Sequence, residues 1–555
     1  TTSPHPGFYF FQRQTVPGIA GPLVGHVRFD GKNDAWKVEP AADHASARLV
    51  ARDLDQIICA NYAKIPEAAE GDVENAPQTH PINIPIPSYQ TIIPLQSLPG
   101  ATAVIYLDFD GEQGPFPGWG DFHAAPATAN NSQIFDVWKM VCEDYQGFNV
   151  NVTTDRKVFD NAPEGRRTHC IISPTTDAAP GAGGVAYVGS FNWSGDRVCW
   201  AFYSTGKSSC EVISHEVGHT LQLSHDGRNS PAEGYYGGHG TDPTGWAPIM
   251  GVGYYKKLSQ WSKGEYLSAN QTQDDLAISD SNNDVDYRTD DTGDVLSSAR
   301  YLEILADNTV SNEGIIEQTG DIDSFRFVTA GGTATLNVNT VTLNPNLDIL
   351  AEIVDVATST VVASDNPDLG INAAVSANLP AGEYLLRIRG TGRGDVLGDG
   401  YSNYACLGSY LITGSVSAGV KPERFSVAEN TANGSSVGTV VPRNNHAGAT
   451  LAYAIASGNT NGAFTINTST GAITVANSAA LDYEALSLRW DDPATIEMFV
   501  TITDTTNPSL NETLRTVVTV TKVNEPPALT GGSQTLLEHT LTGTKVLKVS
   551  ASDPD

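Results

Sequence analysis

The stretch His215-Glu216-Val217-Gly218-His219, followed by His225, restricts this chain more than any other. Side chains four apart stand one above the other on a helix, so the imidazoles of His215 and His219 can reach one point. His225 comes six residues later and cannot share that face. The helix must end and the chain must double back if the third ring is to join the other two. Three neutral nitrogens suit zinc and leave its fourth position open to water. Glu216, next to the first ligand, can take a proton from that water.

The surrounding pattern says what carries this helix. ATAVIYLDF reads as a strand, and SQIFDVWKMVCEDYQGF carries Ile134, Phe135, Trp138, Val141 and Tyr145 at helical spacing. NVNVTT, THCIIS, VAYVGSF and RVCWAFY read as strands, and a Ser-rich N-cap region precedes CEVISHEVGHTLQL. Strand, helix, four strands and helix predict an α/β catalytic domain over residues 101–285.

A chain of 555 residues exceeds one core, and composition changes divide it. Residues 1–80 form an N-terminal segment, with a helix predicted near 43–63. Proline-rich PINIPIPSYQTIIPLQSLPG (81–100) reads as an extended linker. The acidic stretch SDSNNDVDYRTDDTGD (279–294) marks the next boundary, and strand-and-turn patterning follows to the end. That pattern predicts β-sandwiches over 295–416 and 420–525, with a further module starting at 526–555. The expected fold is therefore multidomain, α/β and then all-β.

The net charge of -31 argues against nucleic acid, whose phosphates would be repelled. No apolar run is long enough to span a bilayer, and the first residues lack a basic region followed by an apolar stretch. Six cysteines include no CxxC pair, which excludes a cysteine-rich zinc module. Cys142, Cys170, Cys199 and Cys210 lie close enough in sequence to permit two disulfides in an oxidising compartment.

HExxHxxxxxH resembles the zinc signature of the metzincins. The wider stretch from AVIYLDFDG to WAPIMGVGYYKKLSQWSKGEY is similar to bacterial secreted reprolysin-like metallopeptidases. The resemblance implies a methionine turn beneath the zinc. Met250, 25 residues after His225 and one of three methionines, fits it. It also implies that VAYVGSF (185–191) is an edge strand to which an extended peptide substrate adds. Two positions depart from the family pattern. Gln222 stands where the family has a glycine at positive φ, a cost of about 1 kcal/mol unless the helix breaks a residue later. Val252 stands where some metzincins have a tyrosine, leaving Tyr254 or Tyr255 as candidates to stabilise an oxyanion.

Residues 1–80 read as a candidate pro-region, in which the Cys59 thiol could occupy zinc's open position; the surrounding residues do not match the matrixin switch motif. Residues 295–416 are similar to pre-peptidase C-terminal domains, and there Asp321, Asp323 and Asp348 are either calcium donors or solvated turn residues. FSVAEN, GAITVA, LDYE, VTITD and VNEPP resemble a cadherin repeat, and the final ASDPD resembles the start of another. That resemblance implies calcium held by Glu429, Asp482, Glu484, Asn524, Glu525, Asp553 and Asp555, with Lys522 reducing the ligand charge.

The expected function is a secreted or surface-exposed zinc endopeptidase with Glu216 as general base. It would act on extended peptide or protein substrates, and its β domains would meet a cell-surface or matrix partner. The alternative is a calcium-dependent adhesion or matrix protein carrying an inactive zincin module.

Overall fold

The computed structural model describes Ile92 and residues 94–524, except 488–493 and positions 117, 196, 242, 445 and 447. It also describes backbone strands at Gly7–Val16 (β1), Ile19–Phe29 (β2), Asp34–Pro40 (β3), Ala47–Asp53 (β4), Ile58–Cys59 (β5), Ala528–Thr530 and Ser550–Ser552. The chain divides into two compact units, residues 1–420 and 421–555.

The first four strands form an antiparallel sheet in sequence order. The helix predicted near 43–63 is therefore corrected to strands β4 and β5. ARLVARD is long enough for one strand, and pairing with β3 from Asp34↔Asp53 to Pro40↔Ala47 satisfies its backbone. The strand forms a hairpin with its immediate predecessor, a pairing that a helical reading of the segment leaves out.

The next elements build the site. They are β6 (Ala103–Asp108), the short pair β7 (Glu112–Gln113) and β8 (His123–Ala124), and α1 (Asn131–Asp144). After these come β9 (Val150–Thr153), α2 (Arg156–Asn161), β10 (Arg167–Ile172), β11 (Gly184–Tyr187), β12 (Val198–Ala201) and α3 (Gly206–Thr220). One sheet runs β5-β11-β12-β10-β6-β9. Strands β12, β10, β6 and β9 are parallel, and β11 is antiparallel to β12. All six residues of β6 are buried, as an apolar strand covered on both faces requires.

Helix α1 starts at a capping box in which Asn130 and Gln133 satisfy each other's backbone donors. Its predicted inward face is buried: Ile134, Phe135, Trp138 and Val141, with Tyr145 at the C-cap. Tyr145 Oη donates to Ser214 O at 2.9 Å, tying α1 to α3. Helix α3 starts at Gly206, before the predicted serines, and is buried on every side from Ser209 onward.

Packing does not break where the sequence suggested boundaries. Leu95, assigned to the linker, lies in the core, and its N–H donates to Thr154 Oγ1. Residues 295–416 do form two sheets. One is five-stranded (Arg300–Tyr301, Asp323–Thr329, Gly382–Gly390, Ile349–Asp355, Thr360–Asp365); the other is four-stranded (Thr309–Ile316, Gly408–Val416, Gly332–Thr340, Ala373–Leu379). Their core is continuous with the α/β part, joining Trp138, Val217 and Met250 to Phe325, Leu386 and Leu407. Buried Asp144 crosses this boundary: Oδ1 accepts from Asn344 and Asn346, and Oδ2 from Ser214 and Cys210.

The expected disulfides are absent among the described residues. Cys142, Cys170, Cys199, Cys210 and Cys406 are buried free thiols. Their surroundings are those of small core side chains, with Cys210 against Asp144 and Cys406 donating to Thr391 O at 2.8 Å.

The second unit is a sandwich. A four-stranded sheet (Glu423–Ala428, Glu512–Thr521, Thr495–Asp504, Leu451–Gly458) packs on a three-stranded one (Ser436–Thr439, Ala472–Val475, Phe464–Ile466). Alternate residues Ile496, Met498, Val500 and Ile502 fill its core.

Candidate active site

The three histidines come together. His215, His219 and His225 each offer a nitrogen within 4.8 Å of the other two. His215 and His219 follow from helical spacing; His225 arrives because the helix ends at Leu221 and Gln222 takes φ 78°. Gln222 thus accepts the left-handed conformation, and the helix does not continue past it. Its side-chain amide donates to Asn282 Oδ1 at 3.2 Å, and its carbonyl accepts from Gln273 at 3.1 Å. These bonds offset the steric cost of a Cβ there.

Hydrogen bonds set the tautomers. His215 Nδ1 lies 3.0 Å from Ile249 O, and His219 Nδ1 lies 2.8 Å from Leu223 O. A carbonyl only accepts, so both Nδ1 atoms carry the proton and both Nε2 atoms present lone pairs. Those Nε2 atoms face each other at 3.0 Å. Burial, with the charge of the neighbouring rings, holds His215 and His219 well below the usual imidazole pKa, and burial brings His225 down to about 4. Neutral rings with converging lone pairs repel unless a cation lies between them. The donor set therefore fits zinc, with the Nδ1–H groups of His215 and His219 held by carbonyls that orient those two rings.

Met250 lies under this group. It is fully buried, and a Cβ added at Gly218 would meet its Sδ at 2.7 Å. Short strands Arg228–Asn229 (β13), Ala232–Glu233 (β14), Trp246–Pro248 (β15) and Leu258–Gln260 (β16) frame the turn, with β15 parallel to β16. The turn is braced on two sides: Ile249 O holds His215, and Met250 O accepts from Asp226 N at 2.8 Å.

Glu216 is fully buried and lies against β11. A Cβ at Gly184 would come within 2.7 Å of Glu216 Cγ and Oε1, so only glycine leaves room for the carboxylate. The expected edge strand is confined to Gly184–Tyr187; a 3-10 turn follows at Ser190–Asn192. Strand β5 pairs with its outer side in antiparallel register, Ala186↔Cys59 and Tyr187↔Ile58. The Cys59 side chain lies outside the described residues.

Two residues at the site were not picked out from the sequence. The Tyr235 ring stands 4.4 Å from His225 and 6.0 Å from His215, centroid to centroid. Tyr255 is exposed, and Tyr254 packs on the core cluster. Asp226 is buried, and burial raises its pKa to about 7. Its adjacency to the third histidine was the available signal.

In the second unit the carboxylates proposed for calcium have other partners. Glu429 accepts from Tyr483 N at 3.0 Å and Val523 N at 2.5 Å, and Asp482 caps a short helix through Ala485 N. Glu484 pairs with Lys522 at 3.3 Å. Asn524 is exposed, and Glu525, Asp553 and Asp555 lie outside the described residues. In the first unit, Asp348 is held by Tyr401 Oη at 2.7 Å.

Residues 128–262 match the model of metallo-peptidase family M12 (reprolysin type), and residues 423–521 match the cadherin domain. A metallopeptidase-type module and a cadherin-type module thus lie in one mostly β chain. Protocadherin Fat 4 of Mus musculus is 37% identical over 106 residues, covering 19% of this chain and 2% of that protein. Its Homo sapiens counterpart is 36% identical over the same length, with the same coverage. Repeats EC21-23 of human CDH23 align at a TM-score of 0.18 and 22% identity, over 24% of this chain and 49% of that one. The human Desmocollin-1 ectodomain aligns at 0.16 and 19%, over 37% and 40%. No helix among the described residues is long and apolar enough to cross a membrane.

Proposed function

We propose that the chain is a secreted zinc endopeptidase, with His215, His219 and His225 holding the metal and Glu216 as general base. The carrying observation is the pair of Nε2 lone pairs, 3.0 Å apart and fixed by carbonyls behind them, beside a buried Glu216. The match to family M12 supports the same reading.

When bound, zinc supplies Lewis acidity toward the scissile carbonyl and acidifies a water. Glu216 accepts the proton of the attacking water and delivers it to the leaving amine nitrogen. The Tyr235 hydroxyl donates to the oxyanion that forms at the carbonyl. The substrate is an extended peptide laid antiparallel on β11, where backbone pairing holds it against Glu216. Strand β5 occupies that edge as a substrate would, so residues 1–80 act as a blocking segment, with Cys59 the zinc-blocking thiol. The β-rich remainder anchors the enzyme to a surface or matrix partner.

The test is cleavage of a denatured protein by the zinc-loaded chain, from which residues 1–80 have been removed or displaced. Glu216→Ala should lower kcat by about 10³-fold while one zinc per chain remains bound. Unchanged cleavage, or equal cleavage without zinc, would end the proposal. The cadherin-type match favours a second reading, calcium-dependent adhesion, which would survive Glu216→Ala.

A further inference from the structure

A second group of acidic side chains lies in the first unit, apart from the histidines. Asp290, Asp321 and Asp323 each offer a carboxylate oxygen, all within 4.8 Å of one another. They come from two loops. One is the RTDDTGD connector that leads from the α/β part into the sandwich; the other is EQTGDID, which joins strand Thr309–Ile316 of one sheet to strand Asp323–Thr329 of the other. Glu317 begins the second loop, and its N–H donates to Asp321 Oδ2 at 3.0 Å.

Burial separates this group from solvated turn carboxylates. Asp323 is 0% exposed and Glu317 1%. Asp323 Oδ2 accepts from Tyr410 Oη, but Asp323 Oδ1 and both Glu317 oxygens meet no hydrogen-bond donor among the described residues. Three buried carboxylate oxygens without a donor are an unmet demand for positive charge. Asp291 adds to it, because its charge acts on both Glu317 and Asp323, and Asp294 acts on Asp321. Arg300 stands 4.0 Å from Asp291 and donates to Thr292 Oγ1 and Glu313 O, and the charge of Arg288 offsets part of the repulsion at Glu317.

We propose that Asp290, Asp321 and Asp323 bind one calcium ion, with the buried Glu317 beside them, and that the ion clips the connector onto the turn between the two sandwich sheets. The donors are all oxygen and all hard, which excludes a zinc-type preference. Donors drawn from two loops and one strand end also suit calcium, which accepts irregular oxygen geometry, better than magnesium, which demands near-ideal octahedral geometry. The ion ties the peptidase-like part to the sandwich, because Glu317 O packs on Gly147 just after α1 and Gly147 O accepts from Arg288 N.

The experiment uses the full chain, freed of calcium with EGTA and resupplied with zinc, and titrates calcium by calorimetry and thermal denaturation. Wild type should bind calcium here and gain about 5 °C in the Tm of its first unit at a hundredfold excess over Kd. Magnesium at the same concentration should not replace it. D290N/D321N should weaken this binding at least tenfold and abolish the gain. With EGTA present its Tm should equal or exceed that of wild type, because like charges have been removed. D290N alone, at an exposed position, should weaken binding without disturbing the fold. E429Q/D482N in the second unit should leave the effect intact. Wild-type behaviour in D290N/D321N, or no calcium-dependent shift in wild type, would overturn the proposal.

Discussion

Gly218→Ala tests whether Met250 supports the three-histidine site in the manner described. The new Cβ would lie 2.7 Å from Met250 Sδ, 3.3 Å from Trp261 Cζ3 and 3.5 Å from Leu223 Cδ1. The first distance is shorter than packing tolerates, so the methionine must move by roughly 1 Å. Overpacking of this kind costs about 1–3 kcal/mol. Replacing glycine in a helix interior returns about 1 kcal/mol. The net expectation is a loss of about 1 kcal/mol. A larger effect should fall on metal affinity, because Ile249 O, the partner of His215, adjoins Met250. Disturbing such a partner typically weakens binding by about 10-fold to 100-fold. The assay is urea denaturation followed by tryptophan fluorescence, with zinc affinity from chelator competition. The double variant isolates the contact. In a Met250→Ala background, Gly218→Ala should become neutral or stabilising, a coupling of about 1–3 kcal/mol. A gain of about 1 kcal/mol in both backgrounds, with unchanged zinc affinity, would refute the reasoning.

Three further outcomes follow. Tyr235→Phe should lower kcat by about 10-fold to 100-fold at constant KM, if its hydroxyl reaches the oxyanion; an equal effect on KM alone would assign it to binding. Asn346→Ala removes one donor from buried Asp144, a charge-assisted bond whose loss should cost about 2 kcal/mol in urea denaturation. In the second unit, His446 donates to Asp504 at 2.9 Å and meets Glu512 at 3.2 Å. These partners, Asp504 foremost, raise the His446 pKa, and His446 foremost lowers that of Asp504. The raised histidine stabilises fully below about pH 6.5, and its contribution is lost as pH rises through the folded value; the depressed carboxylate stabilises above about pH 4, and its contribution is lost as pH falls through its own folded value. Calorimetry should therefore show that unit most stable between about pH 4 and 6.5, with a decline as pH rises through the folded value of His446 that His446→Gln abolishes.

What the sequence could reveal depended on how local the cause was. The histidine spacing, the α1 face and strands β9 to β12 are written in short-range periodicity; the structure brings the three rings together and forms the four strands, but inserts α2, which was not predicted, between β9 and β10. Gln222 was legible as a problem but not as a solution, because its left-handed backbone is held by Asn282 and Gln273, some fifty to sixty residues away. Tyr235 sits in a Gly- and Tyr-rich loop without a period, so nothing local aims it at His225. Strand β5 was misread because its partner, β11, is far away in sequence, whereas β4 pairs with the adjacent β3 and was missed as a hairpin. The continuous core across residue 285 was hidden for the same reason: Asp144, Asn344 and Asn346 are far apart in sequence and reveal nothing singly.

The most direct test of the central claim is X-ray absorption at the zinc edge on the full chain, repeated with Glu216→Ala. The expected result is one zinc per chain with three nitrogen neighbours at about 2.0–2.1 Å, unchanged by the substitution. A further sulfur neighbour near 2.3 Å that is lost in Cys59→Ser would identify Cys59 as the fourth ligand. Absence of bound zinc from protein prepared without chelators, or coordination lacking the three imidazoles, would contradict the account.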